Sequence, residues 1–107
     1  MQQIRGHRTH PRVGKILATE IVELPRGAKL QARTSDVSRS GCYIDTLNAI
    51  PEGTHVLVRM NYRKEVFEAT GRVIYVSPGL GMGICFVDVE PAQQSLLDRW
   101  LAEAEEY

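Results

Sequence analysis

No feature of the chain limits its fold more than a repeated alternation of apolar and polar side chains in short stretches. Six such stretches are Val13–Leu24, Lys29–Val37, Gly41–Thr46, His55–Tyr62, Glu65–Val76 and Gly81–Val89. A period of two is typical of β-strands with one buried face, and Gly- or Pro-containing turns separate several of these stretches. The sequence therefore predicts an all-β protein built from consecutive antiparallel strands.

Two of these strands allow a detailed prediction of which residues share a face. Along the first, the apolar residues that share a face are Ile16, Ala18, Val22 and Leu24. Glu20 interrupts that face, which predicts a bulge or an open barrel end there. Along the fifth, the residues predicted to share one face are Phe67, Ala69, Val73 and Tyr75.

The periodicity changes after the sixth strand. Pro91 suits the first position of a helix, and an apolar stripe at helical spacing follows it, formed by Leu96, Leu97, Trp100, Leu101 and Ala104. Such a stripe is typical of an amphipathic helix packed on a core. We therefore predict a six-stranded antiparallel barrel with a C-terminal α-helix packed on it, because closure removes the exposed strand edges.

Length and composition exclude several classes of protein. A chain of 107 residues suits one domain. It has no apolar run long enough to span a bilayer, and its N-terminus does not resemble a secretory signal. Cys42 and Cys85 lie far apart within apolar runs, which favours two buried thiols over a disulfide. These features predict a cytoplasmic protein without membrane insertion.

Charge is distributed unevenly although the net charge is zero. Residues 1–40 hold eight Lys and Arg against three acids, whereas residues 41–107 hold five against ten. Zero net charge argues against a general DNA- or RNA-coating protein. Ten of the 13 bases are Arg, whose planar fork suits phosphate and guanine. We predict a flexible basic arm over residues 1–12 and a single domain over residues 13–107.

Two motifs carry candidate binding chemistry. Arg8 and Arg12 flank Pro11, which disfavours helix, so an extended segment can bring two guanidinium groups to one ligand; the alternative is a solvated basic tail. The second motif runs from Asp36 to Gly41 as Asp-Val-Ser-Arg-Ser-Gly between two strands. Its side chains can hydrogen-bond at a turn, and the alternative is an ordinary turn without function.

The order of these motifs resembles the PilZ domain family. A strand with Gly81-Met82-Gly83-Ile84-Cys85-Phe86, followed by the helix from Pro91, adds to the resemblance, which spans roughly residues 8–101. The resemblance implies a barrel that binds the second messenger cyclic di-GMP on its outer surface. We expect such a binding module to relay the signal to a partner protein. Many family members carry a second glycine where this chain has Cys42.

The resemblance also implies roles for individual residues. Arg8 and Arg12 would be the main ligand contacts, Asp36 and Ser38 would meet a guanine base, and Gly41 would leave room for it. Three further candidate contacts are Arg5, His7 and Gly83. The arm would move against the barrel when the ligand binds, and the protein would act as a monomer or weak dimer.

Other chemistry finds little support in the sequence. His7 and His10 lack a nearby carboxylate or cysteine that would complete a metal set. No Ser-His-Asp arrangement or pair of catalytic carboxylates can be assigned, so we expect neither an enzyme nor a cofactor other than the ligand. Two alternatives stay open: a PilZ-like adaptor that binds no nucleotide, as in type IV pilus assembly or motility, and a small RNA-binding barrel.

Overall fold

A closed antiparallel barrel and one helix make up residues 11–104, the part of the chain that this computed structural model describes. The strands are β1 (Val13–Gly14), β2 (Ala18–Glu23), β3 (Lys29–Ser38), β4 (Gly41–Asp45), β5 (His55–Tyr62), β6 (Glu65–Ser77) and β7 (Gly81–Asp88). The helix α1 covers Pro91–Ala104. No helix within residues 11–104 is both long and apolar enough to cross a membrane.

Strand β3 closes the barrel because it pairs with β2 along one edge and with β4 along the other. The closed order is β2-β5-β6-β7-β4-β3, and all of these pairs are antiparallel. The short strand β1 adds a two-residue pairing to β3. The predicted six-stranded barrel with a C-terminal helix is thus confirmed.

The first predicted strand is split in two by residues 15–17. At this break the buried Thr34 hydroxyl accepts a hydrogen bond from the Leu17 N–H at 2.9 Å and donates one to the Lys15 carbonyl at 2.6 Å. These side-chain bonds satisfy backbone groups that leave the regular strand ladder, which is why the break is tolerated inside the barrel.

The apolar face predicted for the first strand is not the face that the barrel buries. The buried residues are Leu17 and Ile21 with Thr19 between them, whereas Ile16 is 71% exposed and Leu24 is 47% exposed. Pairing of β2 with both neighbours is regular through Glu20, so no bulge lies there. Glu20 instead belongs to the outer face. Its carboxylate forms an ion pair with Arg59 at 3.1 Å on the neighbouring strand.

The core fills the barrel and extends under the helix. Its large fully buried side chains include Phe67, Ile21, Ile44, Met60, Met82, Leu97 and Trp100. The predicted helical stripe is confirmed at Leu97 and Trp100, with Leu96 and Leu101 partly buried against the same core. Cys42 is buried and Cys85 is partly exposed, and both are free thiols, so only Cys42 meets the expectation of a buried thiol.

Candidate ligand-binding surface

Two irregularities in strand pairing turn the key side chains of this surface outward. The register of β3 against β4 shifts between Thr34 and Asp36, so Val37 takes the inward position opposite Cys42 and Asp36 faces out opposite Tyr43. Without this shift, Asp36 would share the inward face of Thr34, because side chains alternate along a strand. The bulge therefore determines that the carboxylate of the predicted motif lies on the surface.

A second register shift, between Val73 and Tyr75 in β6, turns the Tyr75 side chain to the outer surface. Val76 then packs against the core, while Tyr75 lies on the outer surface opposite Gly83. The sequence-based placement of Tyr75 on one face with Phe67, Ala69 and Val73 is therefore wrong. Alternation alone cannot reveal a bulge, since the inserted residue exchanges the faces of every side chain beyond it.

The two bulges bring one cross-strand row onto the outer surface. Asp36 pairs with Tyr43, Tyr43 with Gly83, and Gly83 with Tyr75, across β3, β4, β7 and β6. The rings of Tyr43 and Tyr75 lie 6.1 Å apart between centroids. A Cβ atom at Gly83 would overlap the Tyr75 ring. Gly83 therefore lets an aromatic side chain lie against the strand surface.

Arg12 lies over this row and contacts both of its ends. Its Nη1 atom is 3.5 Å from Asp36 Oδ2, and its Nη2 donates a weak hydrogen bond to Tyr75 Oη at 3.4 Å. The hydrogen bond to Tyr75 and, to a smaller extent, the charge of Asp36 raise the Arg12 pKa against the effect of burial. The guanidinium therefore stays positively charged. Its contacts with Asp36 and Tyr75 are long, so a ligand can replace or share them.

The second carboxylate oxygen of Asp36 is the most unusual atom of the surface. Oδ1 is buried and has no hydrogen-bond partner within residues 11–104. Buried acceptors are nearly always satisfied, because an unpaired one costs about 1–3 kcal/mol. The Asp36 carboxylate is thus positioned to accept a hydrogen bond that the described part of the protein does not supply.

The turn after Asp36 is held by Ser38 rather than by Asp36 itself. The Ser38 hydroxyl accepts from the Ser40 N–H at 3.2 Å and lies 3.4 Å from the Gly41 carbonyl oxygen. A Cβ atom at Gly41 would overlap the Ile84 carbonyl oxygen of the neighbouring strand. Both residues thus have structural roles in the turn and in strand packing, and their predicted contacts with ligand stay predictions.

A pocket of about 190 Å³ lies beside this turn. Its lining includes Arg12, Ser38, Ser40, Gly41, Ile74, Gly83 and Cys85. Typical small-molecule pockets measure about 300–1,000 Å³, so this one suits a single base or phosphate group rather than an entire dinucleotide. Four of the predicted site residues meet here, and Asp36 joins them through Arg12. Arg5, His7 and Arg8 lie outside the described residues.

Cys42 follows Gly41 at the edge of this pocket, and its thiol belongs to the buried core. Its side chain is buried opposite Val37. Burial, together with the nearby charge of Asp36, raises the pKa of the Cys42 thiol to about 12. The thiol therefore stays protonated at neutral pH and acts as a small apolar core residue.

Tyr43 and Tyr75 are the residues of this surface that sequence reasoning missed. They are 32 positions apart and become neighbours only through the pairing of β4 and β6 with β7. Within the sequence, each looks like one more apolar residue of an alternating strand. Tyr75 reaches the outer surface through the bulge in β6, whereas Tyr43 follows the regular alternation of β4 between the buried Cys42 and Ile44.

With this geometry established, comparison with known proteins assigns the family. The sequence matches the PilZ domain over residues 7–103. The chain belongs to the PilZ domain family. No curated protein matches this sequence.

Solved structures agree on the fold. The PilZ domain of Escherichia coli YcgR with c-di-GMP shares 20% identity, covers 92% of this chain and 91% of that chain, and gives a TM-score of 0.75. The Bacillus subtilis inhibitor of motility MotI/DgrA shares 14% identity over 96% of this chain, with a TM-score of 0.76; the match covers 53% of MotI/DgrA. The PilZ domain of CeSA from a cellulose-synthesizing bacterium shares 19% identity, covers 90% of this chain and 99% of that chain, with a TM-score of 0.69.

Proposed function

We propose that this protein is a receptor for cyclic di-GMP that has no catalytic activity, changes conformation on binding and relays the signal to a partner protein. PilZ domains are a family of cyclic di-GMP receptors, and the YcgR domain of the same fold is described with this ligand. The observation that carries the proposal is the convergence of the Arg12 guanidinium and the unpartnered Asp36 Oδ1 beside a pocket of base size.

Guanine complements this pair of side chains. Its O6 and N7 atoms accept both hydrogen bonds of an arginine fork, which contributes roughly 1–3 kcal/mol of discrimination. Its N1–H and N2–H groups can donate to an ionised carboxylate, which only accepts. Asp36 Oδ1 would then gain the donor it lacks, and the partly exposed Tyr75 ring offers a face for base stacking.

The segment before β1 supplies the conformational change in this proposal. Arg8 would join Arg12 on the ligand, with Arg5 and His7 as further contacts. Ligand contacts by Arg8 would fix this segment against the barrel and so alter the surface that a partner protein meets. Because the ligand binds one arrangement better than the other, it shifts the balance between them without catalysis.

Titration calorimetry of the purified protein tests the proposal directly. We expect saturable heat with cyclic di-GMP and none with GTP or with a short single-stranded RNA. Heat with RNA alone would favour the small RNA-binding barrel. A lack of heat with cyclic di-GMP would contradict the receptor and favour an adaptor that acts through protein contacts alone.

Substitution of Asp36 tests the assignment of the guanine contact. Asp36→Ala removes the acceptor for N1–H and N2–H, so we expect the preference for cyclic di-GMP over cyclic di-AMP to fall by about tenfold. The ratio of the two dissociation constants is the measurement, because it cancels any general weakening. Asp45→Ala is a matched control, since Asp45 lies on the neighbouring strand, pairs with Arg33 and does not line the pocket. Unchanged selectivity in Asp36→Ala would refute the assignment.

A further inference from the structure

A second hollow adjoins the candidate pocket on the outer surface of the barrel. It is lined by Glu52, Gly53, Arg72, Val73 and Ile74. Ile74 lines both hollows and is 49% exposed, although it is apolar. The two hollows are therefore neighbours separated by one accessible apolar side chain.

The strand register places Arg72 on the same face as the turn of the first pocket. Ser38 pairs with Gly41, Gly41 with Cys85, and Cys85 with Arg72. Adjacent strands are about 4.8 Å apart, so the backbones of Gly41 and Arg72 are about 10 Å apart across the sheet. An arginine side chain at Arg72 can therefore reach a ligand that also occupies the first pocket.

Arg72 and Glu52 are the two charged residues that line the second hollow. Both are exposed, and within residues 11–104 neither has a side-chain hydrogen bond or ion pair. By contrast, Arg59 on the adjacent strand bonds to both Glu20 and Glu68. The second hollow thus offers one free guanidinium and one free carboxylate, the same two groups that Arg12 and Asp36 present at the first.

We propose that this hollow binds the second guanine of the same cyclic di-GMP molecule; this inference rests on the proposed function. The Arg72 fork would bind O6 and N7 of that base, and the Glu52 carboxylate would accept from its N1–H and N2–H. Ile74 would make the apolar contact between the two bases. A ligand that carries the same base twice fits a surface that carries the same pair of recognition groups twice.

A ligand with one guanine and one adenine separates the two halves of the site. We expect the wild-type protein to prefer cyclic di-GMP over cyclic GMP–AMP by about tenfold, because the mixed ligand leaves the second hollow facing adenine. Arg72→Ala should weaken cyclic di-GMP binding by about tenfold and leave the affinity for cyclic GMP–AMP nearly unchanged. Glu52→Gln should reduce the same preference, whereas Asp36→Ala should weaken both ligands. Titration calorimetry gives all of these affinities.

Arg26→Ala is the matched control, because Arg26 is exposed, has no ion pair within residues 11–104 and lines neither hollow. It measures the effect of one lost positive charge on an anionic ligand. Equal weakening of both ligands in Arg72→Ala, or no change in either, would refute the second-base assignment while the receptor function stands. If the wild-type protein binds no cyclic di-GMP, the proposed function fails, and this inference fails with it.

Discussion

Arg12→Lys is expected to weaken cyclic di-GMP binding by roughly 100-fold while the barrel stays folded. The substitution keeps the positive charge but replaces a planar fork with a single ammonium group. Arg12 presents separate nitrogen atoms to Asp36 and to Tyr75, and one ammonium cannot hold both partners and also form two parallel bonds to a guanine edge. Loss of shape, rather than loss of charge, is the reason for the large effect.

Calorimetry with cyclic di-GMP measures this loss, and thermal unfolding checks that the variant is folded. Arg33→Lys is the matched control, because Arg33 is an exposed strand residue whose ion-pair partner within residues 11–104 is Asp45 at 3.8 Å, and it does not line the pocket. We expect wild-type affinity from that control. Near-wild-type affinity in Arg12→Lys would show that Arg12 contributes charge alone and would remove it from the centre of the site.

The fold could be predicted from the sequence because the alternation of apolar and polar residues and the positions of the turns indicate the same strands. Strand β5 begins and ends where alternation predicts, at His55 and Tyr62, and the helix begins at Pro91. The errors occurred where contacts with a neighbouring strand determine local structure. Thr34 of β3 stabilises the break before β2, and the bulge at residue 74, in the pairing of β6 with β7, turns Tyr75 outward. Alternation within the single segment reveals neither of them.

The candidate site was predictable to the extent that it is local in sequence. Asp36, Ser38 and Gly41 lie within six residues, and Arg12 precedes the first strand, so motif spacing and family resemblance were enough to single them out. Tyr75, Arg72 and Glu52 depend on cross-strand register and on a loop that folds back beside β6. The structure also explains why glycine is needed at two positions. A side chain at Gly41 would overlap the neighbouring strand, and one at Gly83 would overlap the Tyr75 ring.

Trp100→Ala is expected to have the largest effect on stability. The side chain is fully buried and packs edge-on against Tyr62, at 5.4 Å between ring centroids, and beside Phe67, at 6.4 Å. Its Nε1–H donates to Glu65 Oε1 at 3.0 Å. Truncation of a buried tryptophan costs about 3–5 kcal/mol, which is a large share of the roughly 5–15 kcal/mol that stabilises a domain. We therefore expect the free energy of unfolding to fall by about 3–5 kcal/mol, with a urea midpoint well below that of the wild type.

Urea denaturation compares this variant with Trp100→Phe, which keeps an aromatic ring but lacks the donor to Glu65. The hydrogen bonds from Arg99 and Trp100 lower the Glu65 pKa. Since the pKa is lower in the folded state, their stabilisation is complete above the unfolded pKa and is lost as pH falls through the folded value. Trp100→Phe retains the hydrogen bonds from Arg99 to Glu65 but lacks the one from Trp100. The difference in free energy of unfolding between this variant and the wild type should therefore become smaller as the pH falls. A cost below about 1 kcal/mol for Trp100→Ala would contradict the placement of the helix as part of the core.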